Sequence, residues 1–559
     1  MLRLFPLAAL ALLTLPVAAG LLGIALPAFG YLPALSGAEF SLAPFEALFA
    51  MPGLFRSALL SFATGLLATA LAFAVVILFI AGWRGTRAFR VLERLVSPLL
   101  SVPHAAAAFG LAFLIAPAGI VFRIVWSLAD WQRPPDLLIV QDRLGIAMVI
   151  GLAVKEIPFL FLMALSALPQ TRAATMERMT AALGYGRMVG FVHAVLPALY
   201  RQLRLPALAV LAFSTSVVDM ALILGPTTPA PLAVRVIEWQ HDPDLSGHFV
   251  AAAGAVLQVA VTVAALLVWL AAERVGAAIC RALARSGWRA RGDAWLRRAA
   301  SFAMGLSAAT VLAGLALLAL WSIAGVWRFP GAFPESLTLA TWIRLMHSLG
   351  VVLRDTLALA CVSSLLATAL ALGALESATR SGMTAPGRAL RALYVPLIAP
   401  QVAFLFGLQI LFAYAGFDGT FAAVVLVHLV FVFPYVLLSL AEPWRAWDPR
   451  YGLAIRALGH GRNAIFWRVR LPMLMRPVLT AAALGFAVSI ALYLPTLLIG
   501  GGRWPTVTTE AVALASGGDP RLIGATALLQ AALPFLGFAI AALVPALLFR
   551  NRRAMLASA

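Results

Sequence analysis

Lys155 and Glu156 sit side by side in the stretch GLAVKEIPFLF, and Asp219 sits in STSVVDMALILGP; both stretches are otherwise uncharged. An ionisable side chain inside an apolar segment needs a partner or a watery path, because leaving it unpaired in hydrocarbon costs roughly 3 kcal/mol or more. Adjacent helix positions point about 100° apart, so Lys155 and Glu156 cannot easily pair with each other and each needs a different partner. They either anchor a helix kinked at Pro158 or line a pathway, and Asp219 either hydrogen-bonds in the interior or faces that pathway. No catalytic or metal set accompanies them. The seven histidines, His104, His193, His241, His248, His347, His428 and His460, show neither HExxH nor another metal-ligand spacing, and no Gly-x-Ser-x-Gly elbow is present. Lys155 is the sole lysine and follows Val154, so the Gly-Lys-Ser/Thr core of a phosphate-cradling loop is missing and no ATPase is expected in this chain. Cys280 and Cys361 lie far apart and imply no disulfide framework.

A second constellation is repeated. The segment TAALGYGRMVGFVHAVLPAL at 180–199 returns as IRALGHGRNAIFWRVRLPML at 455–474. At an offset of 275, Ala182, Leu183, Gly184, Gly186, Arg187, Phe191, Leu196, Pro197 and Leu199 recur as Ala457, Leu458, Gly459, Gly461, Arg462, Phe466, Leu471, Pro472 and Leu474. Residues 173–183 are helix formers, and Gly184 supplies the flexible backbone that ends a helix. Met188, Phe191, Val192, Val195 and Leu196 then recur at helical spacing, and Pro197 can open the next helix. One such segment reads as an interfacial helix lying on lipid. Two copies with the same Gly-to-Pro interval favour a docking surface presented twice.

The elements that must position these residues are apolar spans. The 559 residues are 63% hydrophobic and 11% charged, far from the composition of a soluble globular protein, with mean hydropathy +0.98. This is a polytopic all-α membrane protein. Twelve spans are predicted, near 5–28, 57–80, 97–116, 146–168, 203–225, 247–271, 300–326, 350–374, 392–414, 421–441, 478–500 and 524–548, and are numbered in that order below. The first apolar run reaches Phe29, longer than the apolar core of a cleaved signal peptide, so an uncleaved span is expected. The net charge of +19 would suggest nucleic acid in a soluble protein, but here arginines alternate with spans. Thirty of the forty arginines fall in the N-terminal residues, 82–96, 169–204, 273–298, 376–391, 443–476 and 549–559. That excess puts those segments and both termini in the cytoplasm, with lipid rather than nucleic acid as the surrounding partner.

The halves repeat beyond the two loops. LLATALA occurs at 66–72 and 365–371, and a proline followed six residues later by Phe-Gly-Leu occurs at Pro103 and Pro400. DPDL at 242–245 matches DPRL at 519–522. The offset drops from 297 to 275 across the polar stretch 119–145, which is longer in the first half. Two domains are therefore expected, 1–285 and 286–559, each with six spans. An even number of spans per half keeps both copies in one orientation, related by a pseudo-twofold along the membrane normal, with a pathway between them.

From Gly184 to Pro197 and from Gly459 to Pro472, the repeated loop resembles the EAA loop of permeases in binding-protein-dependent ABC importers. With KEIPF at 155–159 and FPY at 433–435, the wider pattern is similar to the fused two-domain permeases of ferric-iron, thiamine and related importers. The resemblance implies two tandem six-helix type I permease repeats in the cell inner (plasma) membrane. It implies docking of two copies of a separate ABC ATPase on the cytoplasmic side, through Ala182, Gly184, Gly186, Arg187 and Pro197 in one loop and Ala457, Gly459, Gly461, Arg462 and Pro472 in the other. It further implies an extracytoplasmic solute-binding protein, no cofactor bound by this chain, ATP used by the partner, and a thiamine-like or ferric-iron substrate. The glutamate that the family places six residues before the glycine is Arg178 in one copy and Leu453 in the other, with Glu177 one place away. The alternative is a secondary transporter of twelve helices, although 82–96 lacks the loop signature of the major facilitator pattern. A membrane enzyme acting on lipid-linked substrates would need an acidic or histidine cluster at one face, and the outer aspartates are spread over two loops.

Overall fold

A chain with this many apolar residues can cross lipid only where each backbone N–H and C=O is satisfied internally, which selects helices. The computed structural model describes residues 4–35, 37, 39–128, 136–290, 292–382 and 392–549. Every named element among them is helical, and strand-like pairing is confined to the bridges Leu32–Gly37 and Ala324–Leu337. Among the described residues, nine helices are long and apolar enough to cross a membrane, ten if the bent pair Arg462–Met473 and Met475–Ala491 counts as one span. The nine are Leu4–Ala28, Leu54–Trp83, His104–Val125, Ile146–Thr171, Gly247–Arg285, Ala294–Ser322, Gly350–Ser381, Phe421–Ala446 and Pro520–Leu548. They correspond to predicted spans 1, 2, 3, 4, 6, 7, 8, 10 and 12.

The other three differ from the unbroken helices expected. Span 5 is Leu196–Ser216 followed by Asp219–Leu224, span 9 is Val395–Ile398 followed by Gln401–Tyr414, and span 11 is Met475–Ala491 followed by Leu494–Gly500. Span 3 begins after a similar interruption, between Ser97–Ser101 and His104–Ile115. An extended residue follows the helix that ends at each break: Val102, Val217, Ala399 and Leu492. Val102 and Ala399 precede Pro103 and Pro400, and proline pushes the residue before it out of the helical region. At the other two breaks a side chain takes over a released carbonyl. Gln258 Nε2 donates to the Thr215 carbonyl at 3.0 Å, and the Thr508 hydroxyl donates to the Ile490 carbonyl. Thr508 in turn accepts from Gln530 Nε2 at 2.8 Å.

Packing repeats from one half to the other. Spans 2, 4 and 5 pack on one another, as do spans 8, 10 and 11. Each half's first helix crosses to the other half: span 1 lies against span 9, and span 7 against span 3. Glycines make these crossings close. A Cβ on Gly110 would stand 2.8 Å from Gly314 Cα, and one on Gly23 would stand 2.5 Å from the Gly407 carbonyl oxygen. Such small-residue contacts replace the hydrophobic drive that lipid cannot supply between helices. Outside the spans, two short helices are tied down alike. Leu232 N–H donates to Ser61 Oγ and Val507 N–H to Thr356 Oγ1, each at 2.9 Å. Exposed leucines such as Leu7, Leu22 and Leu543 cover the outer faces, where lipid is the solvent.

Candidate functional site

The four breaks converge. A cavity of about 170 Å³ lies between the halves, lined by Val102, Val217 and Leu492 at three breaks and by Leu397 and Gln401 on either side of the fourth. Its charged lining comes from the first half alone: Lys155, Glu156 and Asp219, with His104. Aligning the repeats at Pro158 with Pro434, Pro103 with Pro400, and by the loop offset puts Phe431, Gln401 and Leu494 where the first half has Lys155, His104 and Asp219. Lys155 Nζ donates to the Leu100 carbonyl at 3.1 Å, in the turn before the span 3 break. Glu156 Oε1 lies 3.2 Å from His104 Nε2, on the first residue after that break. Their roughly 100° separation on span 4 thus sends the two charges to two sides of one interruption. Asp219 opens the short helix after the span 5 break, is 8% exposed, and accepts at Oδ1 from Met220 N–H at 2.9 Å. Opposite, His428 brackets the span 11 break, with Nδ1 2.8 Å from Ser489 Oγ and Nε2 2.9 Å from Thr496 Oγ1.

The repeated loops lie at the other end of these spans. In the first, the helix Ala173–Ala182 ends at Gly184 with φ +79°, and Arg187–Ala194 leads to Leu196–Ser216, where Pro197 occupies the first turn. In the second, Pro449–Ala457 ends at Gly459 with φ +82°. Both glycines occupy the left-handed region, which strains any residue with a Cβ. The exits differ. Pro472 lies in Leu471–Met473 after a wider π turn at Phe466–Arg470, and span 11 starts only at Met475, bent by 73°.

Arg187 donates from Nε to the Ala81 carbonyl at 3.3 Å and from Nη2 to the Arg84 carbonyl, capping the end of span 2. Burial lowers its pKa from the ordinary arginine value, and Glu177 opposes that shift. Glu177 itself pairs with Arg84 at 2.6 Å. The segment joining the halves covers the first loop: Gly186 N–H donates to the Arg289 carbonyl at 2.8 Å and Met188 N–H to Asp293 Oδ2 at 3.0 Å. In the second loop Asn463 Oδ1 accepts from Arg380 at 3.0 Å, and among the described residues a Cβ on Gly459 or Gly461 would meet nothing within 4 Å. Leu183 and Leu458, 60% and 72% exposed, project from equivalent positions beside the exposed Ala182 and Ala457.

Residues 382–556 match the family of binding-protein-dependent transport system inner membrane components. Over 507 residues the chain is 32% identical to the inner membrane ABC transporter permease protein YnjC of Escherichia coli K12, covering 90% of this chain and 91% of that one. The chain belongs to the ABC transporter permease family. The permease is also similar over shorter stretches to the molybdenum transport system permease protein ModB of Mycobacterium tuberculosis, at 32% identity over 131 residues, 21% of this chain and 49% of ModB. Its likeness to the spermidine/putrescine transport system permease protein PotC of Haemophilus influenzae is 26% over 98 residues, 18% of this chain and 38% of PotC.

The permease is therefore an integral inner-membrane component of an ABC importer, of a family that works with an ATPase and a solute-binding protein. The alternative of a secondary transporter does not fit this membership. Of the residues singled out in the sequence, Lys155, Glu156 and Asp219 meet at one cavity, while the loop residues stand apart from it in two separate loops. His104, Gln401, His428, Tyr435 and Tyr493 went unnoticed as site residues. For His104 and Gln401 a signal existed, since each follows the repeated proline, Pro103 or Pro400.

Proposed function

We propose that the central cavity is part of the solute pathway and that the two glycine-hinged loops couple it to ATP hydrolysis by two copies of a separate ATPase. The observation that carries this reading is the meeting of four interrupted helices at one cavity between the halves, the arrangement that transport folds use to place a site at mid-membrane. The loops 182–197 and 457–472 present exposed leucines for docking, and each runs into a broken span, 5 or 11, so movement of a docked loop has a short route to the cavity. In this reading residues 1–285 and 286–559 are two permease domains of common descent, supported by the recurring contacts of spans 1 and 7, and both termini are cytoplasmic. The chain binds no cofactor, ATP is used by the partner, and an extracytoplasmic binding protein delivers the solute. The resemblance favours a thiamine-like or ferric-iron solute.

The test is to purify the permease with its ATPase. Gly184→Val and Gly459→Val should leave the chain inserted while weakening ATPase retention or uncoupling hydrolysis from uptake, and the double variant should be worse than either. Full retention and normal solute-stimulated hydrolysis in the double variant would reduce the loops to interfacial helices.

A further inference from the structure

We propose that the central cavity takes an organic cation, held by the Asp219 carboxylate against a wall of aromatic rings. The inference rests on the permease reading and names the chemistry of the solute that this cavity recognises. Lys155, Glu156 and Asp219 line it, together with His104. Lys155 and Glu156 balance each other in charge and are engaged, Lys155 with the Leu100 carbonyl and Glu156 with His104. Asp219 is the remaining carboxyl group. It accepts from the Met220 backbone, and among the described residues no lysine, arginine or histidine forms an ion pair with it. Asp219 thus stands without an ion-pair partner among the described residues, with His104 the basic group that acts on it through space, in surroundings that are mostly Phe, Val, Leu and Ala. A carboxylate so placed is stabilised by a counter-cation that enters with the ligand.

The walls select the kind of cation. Phe159, Phe213, Phe431, Tyr435 and Tyr493 all border the space, and ring faces attract a cation whose charge is spread over an apolar body. An oxyanion finds no arginine in the lining, and the only lysine is already bonded to a carbonyl. A bare metal ion is disfavoured as well, since no group of three or more His, Cys, Asp or Glu side chains able to hold one occurs among the described residues. The charge is one-sided because the second half puts Leu494 opposite Asp219 in the repeat, so the cationic end of a ligand should lie toward span 5 and its apolar body toward span 11.

The full permease in lipid nanodiscs is titrated calorimetrically with benzyltrimethylammonium, and separately with benzoate and molybdate. Saturable binding of the cation alone is expected, weakened at least tenfold by Asp219→Asn, restored by Asp219→Glu, and weakened severalfold by Tyr493→Leu. Equal affinity in Asp219→Asn, or saturable binding of an anion with none of the cation, overturns the inference. A measurement that does not need Asp219 replaced uses Val488→Cys, at the cavity wall, in a Cys280→Ser, Cys361→Ser background. Benzyltrimethylammonium should slow maleimide labelling there, and an unchanged rate counts against the site. Retention of the co-expressed ATPase is scored on the same preparations. A permease that retains ATPase but ignores the cation sinks this inference alone, whereas cation binding without ATPase retention sinks the coupling reading and leaves the site standing.

Discussion

The Glu156–His104 contact joins two spans across a helix break, so the two side chains serve each other's burial as well as the cavity. Glu156→Gln keeps a hydrogen-bonding partner for His104 and removes only charge, whereas Glu156→Ala leaves the imidazole unpartnered at a cost of about 1–3 kcal/mol. Protein abundance and thermal unfolding in detergent should fall clearly for Glu156→Ala and much less for Glu156→Gln; equal losses would show that charge alone matters. On the other side, His428 is buried and bonds Ser489 before a break and Thr496 after it. His428→Leu orphans the Ser489 hydroxyl and leaves Thr496 only its bond to the Leu492 carbonyl, which loosens that break, so we expect a loss of about 2 kcal/mol in stability, read as a lower unfolding temperature. A variant as stable as wild type would remove His428 from the structural account of span 11.

At the scale of elements, the crossing of spans 1 and 7 onto the opposite halves depends on backbone approaching backbone at glycine. Gly407 faces Gly20 in one crossing and Gly110 faces Gly314 in the other. Gly407→Leu cannot be absorbed by a flexible side chain, because its neighbours there are main-chain atoms, and overpacking of this kind costs about 1–3 kcal/mol or more. A Cβ on Gly305, in span 7, would meet nothing within 4 Å, so Gly305→Leu is the matched control and should change stability by less than about 0.5 kcal/mol. Monodisperse yield and unfolding temperature distinguish the two, and parity between them would argue that the crossing is loose.

For the whole molecule, the arginine distribution and the proposed docking role of the two loops predict one orientation. The proposed orientation puts both termini and the 273–298 connection on the cytoplasmic side and Asp136 outside. With Cys280 and Cys361 replaced by serine, Asp136→Cys should react with an impermeant maleimide from outside, and a cysteine at Arg285 should react only after the inner membrane is opened. The reverse pattern would invert the topology and place the loops beyond reach of a cytoplasmic ATPase. The halves are not equivalent within this orientation. The connecting segment is hydrogen-bonded to the first loop through Gly186 and Met188, whereas the second loop is bonded from Arg380 through Asn463, so the two loops differ in what surrounds them.

The membrane class, the helical runs, the repeated loop and the glycines at its turn were all legible in the residues alone, because each follows from composition, from periodicity within one segment, or from residue types at short spacing. Lys155, Glu156 and Asp219 stood out in the same way, since charge in an apolar run is conspicuous without any knowledge of neighbours. The breaks at Val217 and Leu492 were not legible: no proline stands immediately after either extended residue, and each break depends on Gln258 or Gln530, 43 and 40 residues away from Thr215 and Ile490, to satisfy a released carbonyl directly or through Thr508. Nor could apolar periodicity tell that span 1 crosses to span 9, since apolar faces in lipid are chosen by shape rather than by hydrophobicity. His104 meets Glu156, and four interruptions meet at one cavity, only in the folded chain, because partners far apart in sequence are selected by packing between helices, which no local pattern encodes.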